Sequence, residues 1–170
     1  EAITRRFYAR LFEHKPELRN LFNMGNQQSG AQQQSLASAL YAYAVNIDNQ
    51  AALAPVVSRI VHKHVSLGVR AEHYPIVGSN LLAAIGETLG EAATPELIDA
   101  WGEAYGLLAD ALIHEEARMY RDKGIEPGQF MPVRVARKQV ESAAVTSFWL
   151  EAPDGGSLPP FEPGQYISVA

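Results

Sequence analysis

Val57-Ser-Arg-Ile-Val-His-Lys-His-Val-Ser-Leu-Gly68 is the stretch on which the fold and the chemistry of this chain turn. Val57, Ile60, Val61 and His64 recur at helical spacing, so an imidazole stands on a stripe where packing wants hydrocarbon. A polar ring sunk in such a face needs a partner. Two kinds of partner are open at this point: a hydrogen-bonding group that satisfies a structural core histidine, or a metal, for which neutral imidazole is a common ligand.

Around this stretch the chain reads as helical up to about residue 123, with apolar residues at spacings of three and four, abundant alanine and turn signals between segments. The expected helices are 2–14, 30–46, 55–66, 72–90 and 95–122, with a short turn at 17–22. Pro16 interrupts the first segment, and Asn26-Gln-Gln-Ser-Gly30 is expected to be a polar turn. Thr94-Pro95 has the form of an N-cap followed by proline at the first helical position, and Gly124 that of a C-terminal stop. Along the last helix Leu97, Trp101, Tyr105, Leu108, Leu112 and Met119 share a face, and Glu116 falls near its edge. Beyond Gly124 the pattern changes. Gln129-Phe-Met-Pro-Val-Arg-Val-Ala-Arg137 and Ala143-Ala-Val-Thr-Ser-Phe-Trp-Leu-Glu151 alternate and favour strands. The intervening composition at 123–129 is that of a linker, which divides a helical domain over 1–124 from a β domain starting at 125–170.

Composition narrows the function. The chain has 170 residues, enough for one packed domain and part of a second, and no apolar run long enough to span a bilayer. Its formal charge is −5 and its 14 Lys and Arg are scattered, which argues against both membrane insertion and nucleic acid as a partner. With no cysteine there is no disulfide, thiolate zinc site, iron–sulfur cluster or Cys nucleophile, a usage that fits the cytoplasm. Any metal must use His or carboxylates, or sit in a macrocycle. The chain opens on Glu1 and stops inside an apparent strand, so a piece of a longer protein is expected.

Of the five histidines, His14 and His73 lie beside helix ends in polar surroundings, where interaction with a helix end or solvation accounts for them, while His62 points off the apolar stripe and His114 sits among Glu115 and Glu116. His64 is different. An axial histidine on a helix that faces an apolar pocket is how many proteins hold haem iron. Polar residues set among apolar ones on other segments match such a pocket: Tyr8 between Phe7 and Leu11-Phe12, Phe22 closing its turn, Gln32 ahead of Leu36 and Leu40, and Tyr74 on a stripe with Val77, Leu81 and Ile85.

Taken in order, Phe7-Tyr8, Pro16-Glu-Leu-Arg-Asn-Leu-Phe22, Gln32, Leu36, Lys63-His64, Tyr74-Pro-Ile-Val-Gly78, Trp101-Gly-Glu-Ala-Tyr-Gly106, Glu116 and Tyr120 resemble the globin domain of flavohaemoglobins. The likeness continues into Glu162-Pro-Gly-Gln-Tyr166, which is similar to the start of their ferredoxin-reductase-type FAD-binding barrel. The fold implied is a mainly α globin lacking its first helix, followed by the first strands of an antiparallel β barrel. The resemblance implies haem b bound through His64, whose far ring nitrogen is held by Glu116 with Tyr74 in the same trio. On the opposite haem face it implies Tyr8 and Gln32 as hydrogen-bond partners of the oxygen ligand, Leu36 beside it and Phe22 wedging the macrocycle. Lys63 is implied as a contact to the FAD domain and Tyr166 as a contact to the flavin. The activity implied is nitric oxide dioxygenase, with O2 and nitric oxide as substrates and electrons from NAD(P)H through FAD in a reductase portion that lies mostly beyond Ala170. An oxygen-binding or oxygen-sensing globin without that activity is the alternative, and a haem-free bundle with His64 as a core residue is a third.

Overall fold

The computed structural model describes residues 1–22, 24–161, 167 and 169. The chain separates into two compact units, Glu1–Pro127 and Gly128–Ala170. Helices α1 (Ala2–His14), α2 (Met24–Ser29), α3 (Ala31–Val45), α4 (Gln50–Leu67), α5 (His73–Leu89) and α6 (Pro95–Lys123) build the first unit, with a 3₁₀ turn at Pro16–Leu21 after α1. A hairpin of β1 (Arg134–Val140) and β2 (Thr146–Glu151) builds the second.

Local chemistry explains most of the helix ends. The Thr94 side chain accepts a hydrogen bond from the Leu97 N–H at the start of α6, with Pro95 at the first helical position. Gly68 ends α4 at φ 71° and Gly124 ends α6 at φ 63°, left-handed conformations that cost glycine no Cβ clash. Two expectations are corrected. Residues 26–29 are helical as part of α2 rather than a polar turn, and the Gln33 side chain holds that helix by donating to the Gln27 carbonyl and to Gln27 Oε1. Helix α4 begins at Gln50, five residues before the expected start. Asn49 caps it by accepting from the Ala52 N–H, and Pro55 inside the helix forgoes a single backbone bond with its ring exposed.

The core lies where α1 crosses α5 and where α4 meets α6. Phe7, Tyr8, Leu11, Phe12 and Leu18 pack with Leu81, Ala84 and Ile85 in one cluster. Val61 and Val65 of α4 pack with Tyr74, Ala109, Leu112 and Tyr120 in another. Tyr105 touches both. The stripe that carries His64 therefore does face α6, as its periodicity requires. His14 is also corrected: its Nδ1 lies 3.0 Å from Asn80 Oδ1, so α1 is tied to α5 by a side-chain hydrogen bond.

In the second unit β1 and β2 pair antiparallel, Val135 opposite Leu150, Arg137 opposite Trp149 and Lys138 opposite Phe148. Ala136 is the extra residue of an irregularity between Val135 and Arg137. The Arg137 guanidinium sits 4.3 Å from the Trp149 ring centroid, a cation–π contact across the ladder. Among the described residues no helix is long and apolar enough to cross a membrane.

Candidate functional site

Three helices bring His64, Tyr74 and Glu116 to one point. His64 Nδ1 lies 2.7 Å from Glu116 Oε1 and 3.0 Å from the Tyr74 hydroxyl, which in turn donates to the same carboxylate oxygen at 2.5 Å. Glu116, expected near the edge of the apolar face of α6, is buried. It is 3% exposed. A carboxylate taken that far from water must collect donors, and two converge on one of its oxygens. Because a carboxylate only accepts, the Nδ1 proton and the Tyr74 proton both point to it. This assigns the proton of His64 to Nδ1 and leaves Nε2 as the nitrogen with a free lone pair. Burial, and then the hydrogen bond to Glu116, hold the Tyr74 hydroxyl far above the ordinary tyrosine range, so it remains a donor.

A further tyrosine sets this trio from behind. The Tyr105 hydroxyl donates to the Tyr74 carbonyl at 2.7 Å, and the Tyr105 ring lies against α5 at Gly78. A Cβ on Gly78 would come within 2.6 Å of that ring, so the close approach of α6 to α5 depends on the missing side chain. The sequence placed Tyr105 on the apolar face of α6 and within the Trp101–Gly106 motif, with no role of its own. The signal that could have found it is Gly78 itself, an isolated glycine inside a helical pattern, which has a cost unless something packs against it.

A second group forms on α1, α3 and the turn between them. Tyr8 is 5% exposed, its ring edge-on to Phe22 with centroids 5.5 Å apart, and the Gln32 side chain hydrogen-bonds its hydroxyl. Phe22 and Leu36, both half-buried, pack on the same cluster. The structure thus gathers Tyr8, Gln32, Phe22 and Leu36 in one place and His64, Tyr74 and Glu116 in another. Lys63 is exposed on α4. Tyr166 lies outside the described residues.

Burial pushes the Tyr8 hydroxyl up to about 12, against the Gln32 hydrogen bond, which lowers it. Burial does the same for Tyr120, to about 12, and pushes Tyr105 further. In each case the folded protein holds its proton at a pH where the unfolded chain, titrating near 10.0, has lost it. Stability is therefore complete below pH 10 and declines as the pH climbs through about 12. Urea unfolding across that range should show the decline, with a shallower slope in Tyr8→Phe. A flat profile would refute it.

The donor set fits haem. Among the described residues no group of three or more His, Cys, Asp or Glu could hold a bare metal ion. His64 would be a single protein ligand through Nε2, and a macrocycle would supply the remaining coordination. The His64 side chain is 30% exposed although it lies on the apolar stripe, which leaves that nitrogen open. Half-buried Phe22, Leu36, Leu40, Val57, Ile60 and Leu108 offer apolar surface of the kind a porphyrin covers.

A family profile described as Globin matches residues 5–112. The chain is 59% identical over 171 residues to the Flavohemoprotein of Chromobacterium violaceum, an alignment that covers 99% of this chain and 42% of that protein. It spans about two fifths of the curated relatives it matches. The crystal structure of flavohemoglobin from Malassezia yamatoensis with bound FAD and heme superimposes with a TM-score of 0.85 at 30% identity, covering 97% of this chain and 44% of that one. An engineered carbene transferase made from a candidate nitric oxide dioxygenase of Rhodothermus marinus is 45% identical, with a TM-score of 0.66, over 71% of this chain and 82% of that one.

Proposed function

The chain belongs to the globin family, and from that premise we propose that it is the haem-bearing part of a nitric oxide dioxygenase, with His64 as the proximal ligand. The observation that carries the reading is the carboxylate of Glu116, buried and hydrogen-bonded to both His64 Nδ1 and the Tyr74 hydroxyl. Residues 1–124 form the haem domain in this reading, and 125–170 open an FAD-binding barrel; the superposition of 97% of this chain on a flavohemoglobin with bound FAD and heme supports it. Haem held through His64 would supply the oxygen-binding and redox chemistry by which O2 and nitric oxide yield nitrate, with electrons from NAD(P)H by way of FAD.

The chain's own residues set the conditions. Glu116 draws on the Nδ1 proton, which gives the imidazole imidazolate character and makes Nε2 a stronger donor. Tyr74 shares the carboxylate and fixes its orientation. Tyr8 offers a hydroxyl that burial keeps protonated, and Gln32 is bonded to it, so in this reading they are the polar groups held ready for an oxygen ligand. Phe22 and Leu36 exclude water beside them. Lys63, next to the ligand in sequence, is assigned to contact the reductase portion, and Tyr166 to contact the flavin. Absence of cysteine accords with a cytoplasmic site of action.

Glu116→Gln tests the trio. It keeps shape and hydrogen bonding but removes the charge, so haem should remain bound while the iron's reduction potential rises. In a chain that carries the flavin and nicotinamide portions, nitric oxide consumption should slow by at least about tenfold, the usual scale for loss of such a partner. An unchanged potential and rate would remove Glu116 from the mechanism. Haem bound with O2 taken up but no consumption of nitric oxide in the unmodified protein would favour an oxygen-binding globin instead.

A further inference from the structure

Tyr120 stands four residues after Glu116 on α6, on the same face, and is 4% exposed. Its hydroxyl donates across to the Val69 carbonyl at 2.9 Å. Val69 is the residue just past the end of α4, and its own N–H donates back to the His64 carbonyl at 3.0 Å. Between them Gly68 turns left-handed, so the chain doubles back from His64 through a tight, hydrogen-bonded loop. Glu116 grips the imidazole ring, while Tyr120, one turn along, grips the loop that caps the backbone of the same histidine.

We infer that Tyr120 is a positioning residue for His64, clamping the end of α4 so that the imidazole meets its metal at a set height and tilt. The inference rests on the reading of His64 as the haem ligand. A ring held only through its Nδ1, by Glu116 and Tyr74, could still rock about its Cα, because α4 ends one turn after His64 and the last turn of a helix frays readily. The hydroxyl of Tyr120 removes that freedom at the backbone. Burial of the tyrosine beside Glu116 keeps the hydroxyl protonated, so the clamp is a donor throughout the physiological range.

Two measurements on Tyr120→Phe test this, with Tyr43→Phe as the control. Tyr43 also donates its hydroxyl to a backbone carbonyl, that of Ala104 at 2.8 Å, but to a partner on α6 rather than on the loop after His64. In the haem-free chain, amide exchange at Val69 should quicken roughly fivefold in Tyr120→Phe, the factor expected for one lost hydrogen bond, and stay unchanged in Tyr43→Phe. In the haem-reconstituted ferrous protein, the iron–histidine stretching band should broaden and move to lower frequency in Tyr120→Phe alone. A Val69 amide that does not respond, or a band that stays put while haem is bound through His64, overturns the inference. If His64→Ala retains the haem band, the haem reading fails, and a Val69 amide that still responds leaves Tyr120 a purely structural clamp, which overturns the positioning role.

Discussion

His64→Ala is expected to abolish the Soret band that the proposed function predicts for the haem-reconstituted, unmodified chain. Among the described residues no group of three or more His, Cys, Asp or Glu is placed to hold the metal in its stead. His14 is tied to Asn80, and the His73 ring accepts from the Arg70 N–H, so neither imidazole is poised to replace it. The effect should be loss of the band rather than a shift. Removing the ring also leaves Glu116 buried with one donor fewer, a cost of a few kcal/mol that could loosen the fold. Exogenous imidazole separates these two consequences. If it restores the band in His64→Ala, the pocket is intact and only the ligand was lost. A full-strength band in His64→Ala without added imidazole would end the haem assignment.

Gly78→Ala should destabilise the helical unit by about 1–3 kcal/mol, the range for forcing a methyl into a packed core. Inside a helix the same change usually stabilises, by roughly 0.5–1 kcal/mol, because glycine loses more backbone entropy on folding. Here the contact decides the sign. The new Cβ would lie 2.6 Å from the Tyr105 ring, which cannot swing away because its hydroxyl is bonded to the Tyr74 carbonyl and its ring packs on both core clusters. Gly86 supplies the contrast within the same helix. Nothing lies within 4 Å of a Cβ built there, so Gly86→Ala should raise stability by about 0.5–1 kcal/mol. Urea unfolding of the two single variants checks the pair, and equal signs would contradict it. In a Tyr105→Ala background Gly78→Ala should lose most of its cost, since the atom it strikes is gone.

Both variants show where sequence reading was sufficient and where it stopped. The α4 stripe carried its meaning in the order of its residues: apolar positions at three and four, with His64 among them, demand a helix whose imidazole faces inward. The ends of α6 were equally plain, since Thr94-Pro95 and Gly124 act through bonds to their own neighbours. Short-range chemistry is readable because its partners are adjacent. Residues 26–29 misled because polar glutamines look like a turn until Gln33, on the next helix, is seen holding them.

The site divides along the same line. A lone inward histidine was legible, but an acid 52 residues away was known as its partner only through family resemblance. Local order along the chain determined the helices, the two-part organisation and the imidazole's place on an apolar face, because periodicity and caps operate within a few residues. The packing of α4, α5 and α6 decided the rest: the two donors on one Glu116 oxygen, the tyrosine seated over Gly78 and the loop held by Tyr120. Those contacts depend on how far each helix is rotated and slid against its neighbours, and hydrogen bonds of 2.5 to 3.0 Å tolerate far less displacement than the helical repeat specifies.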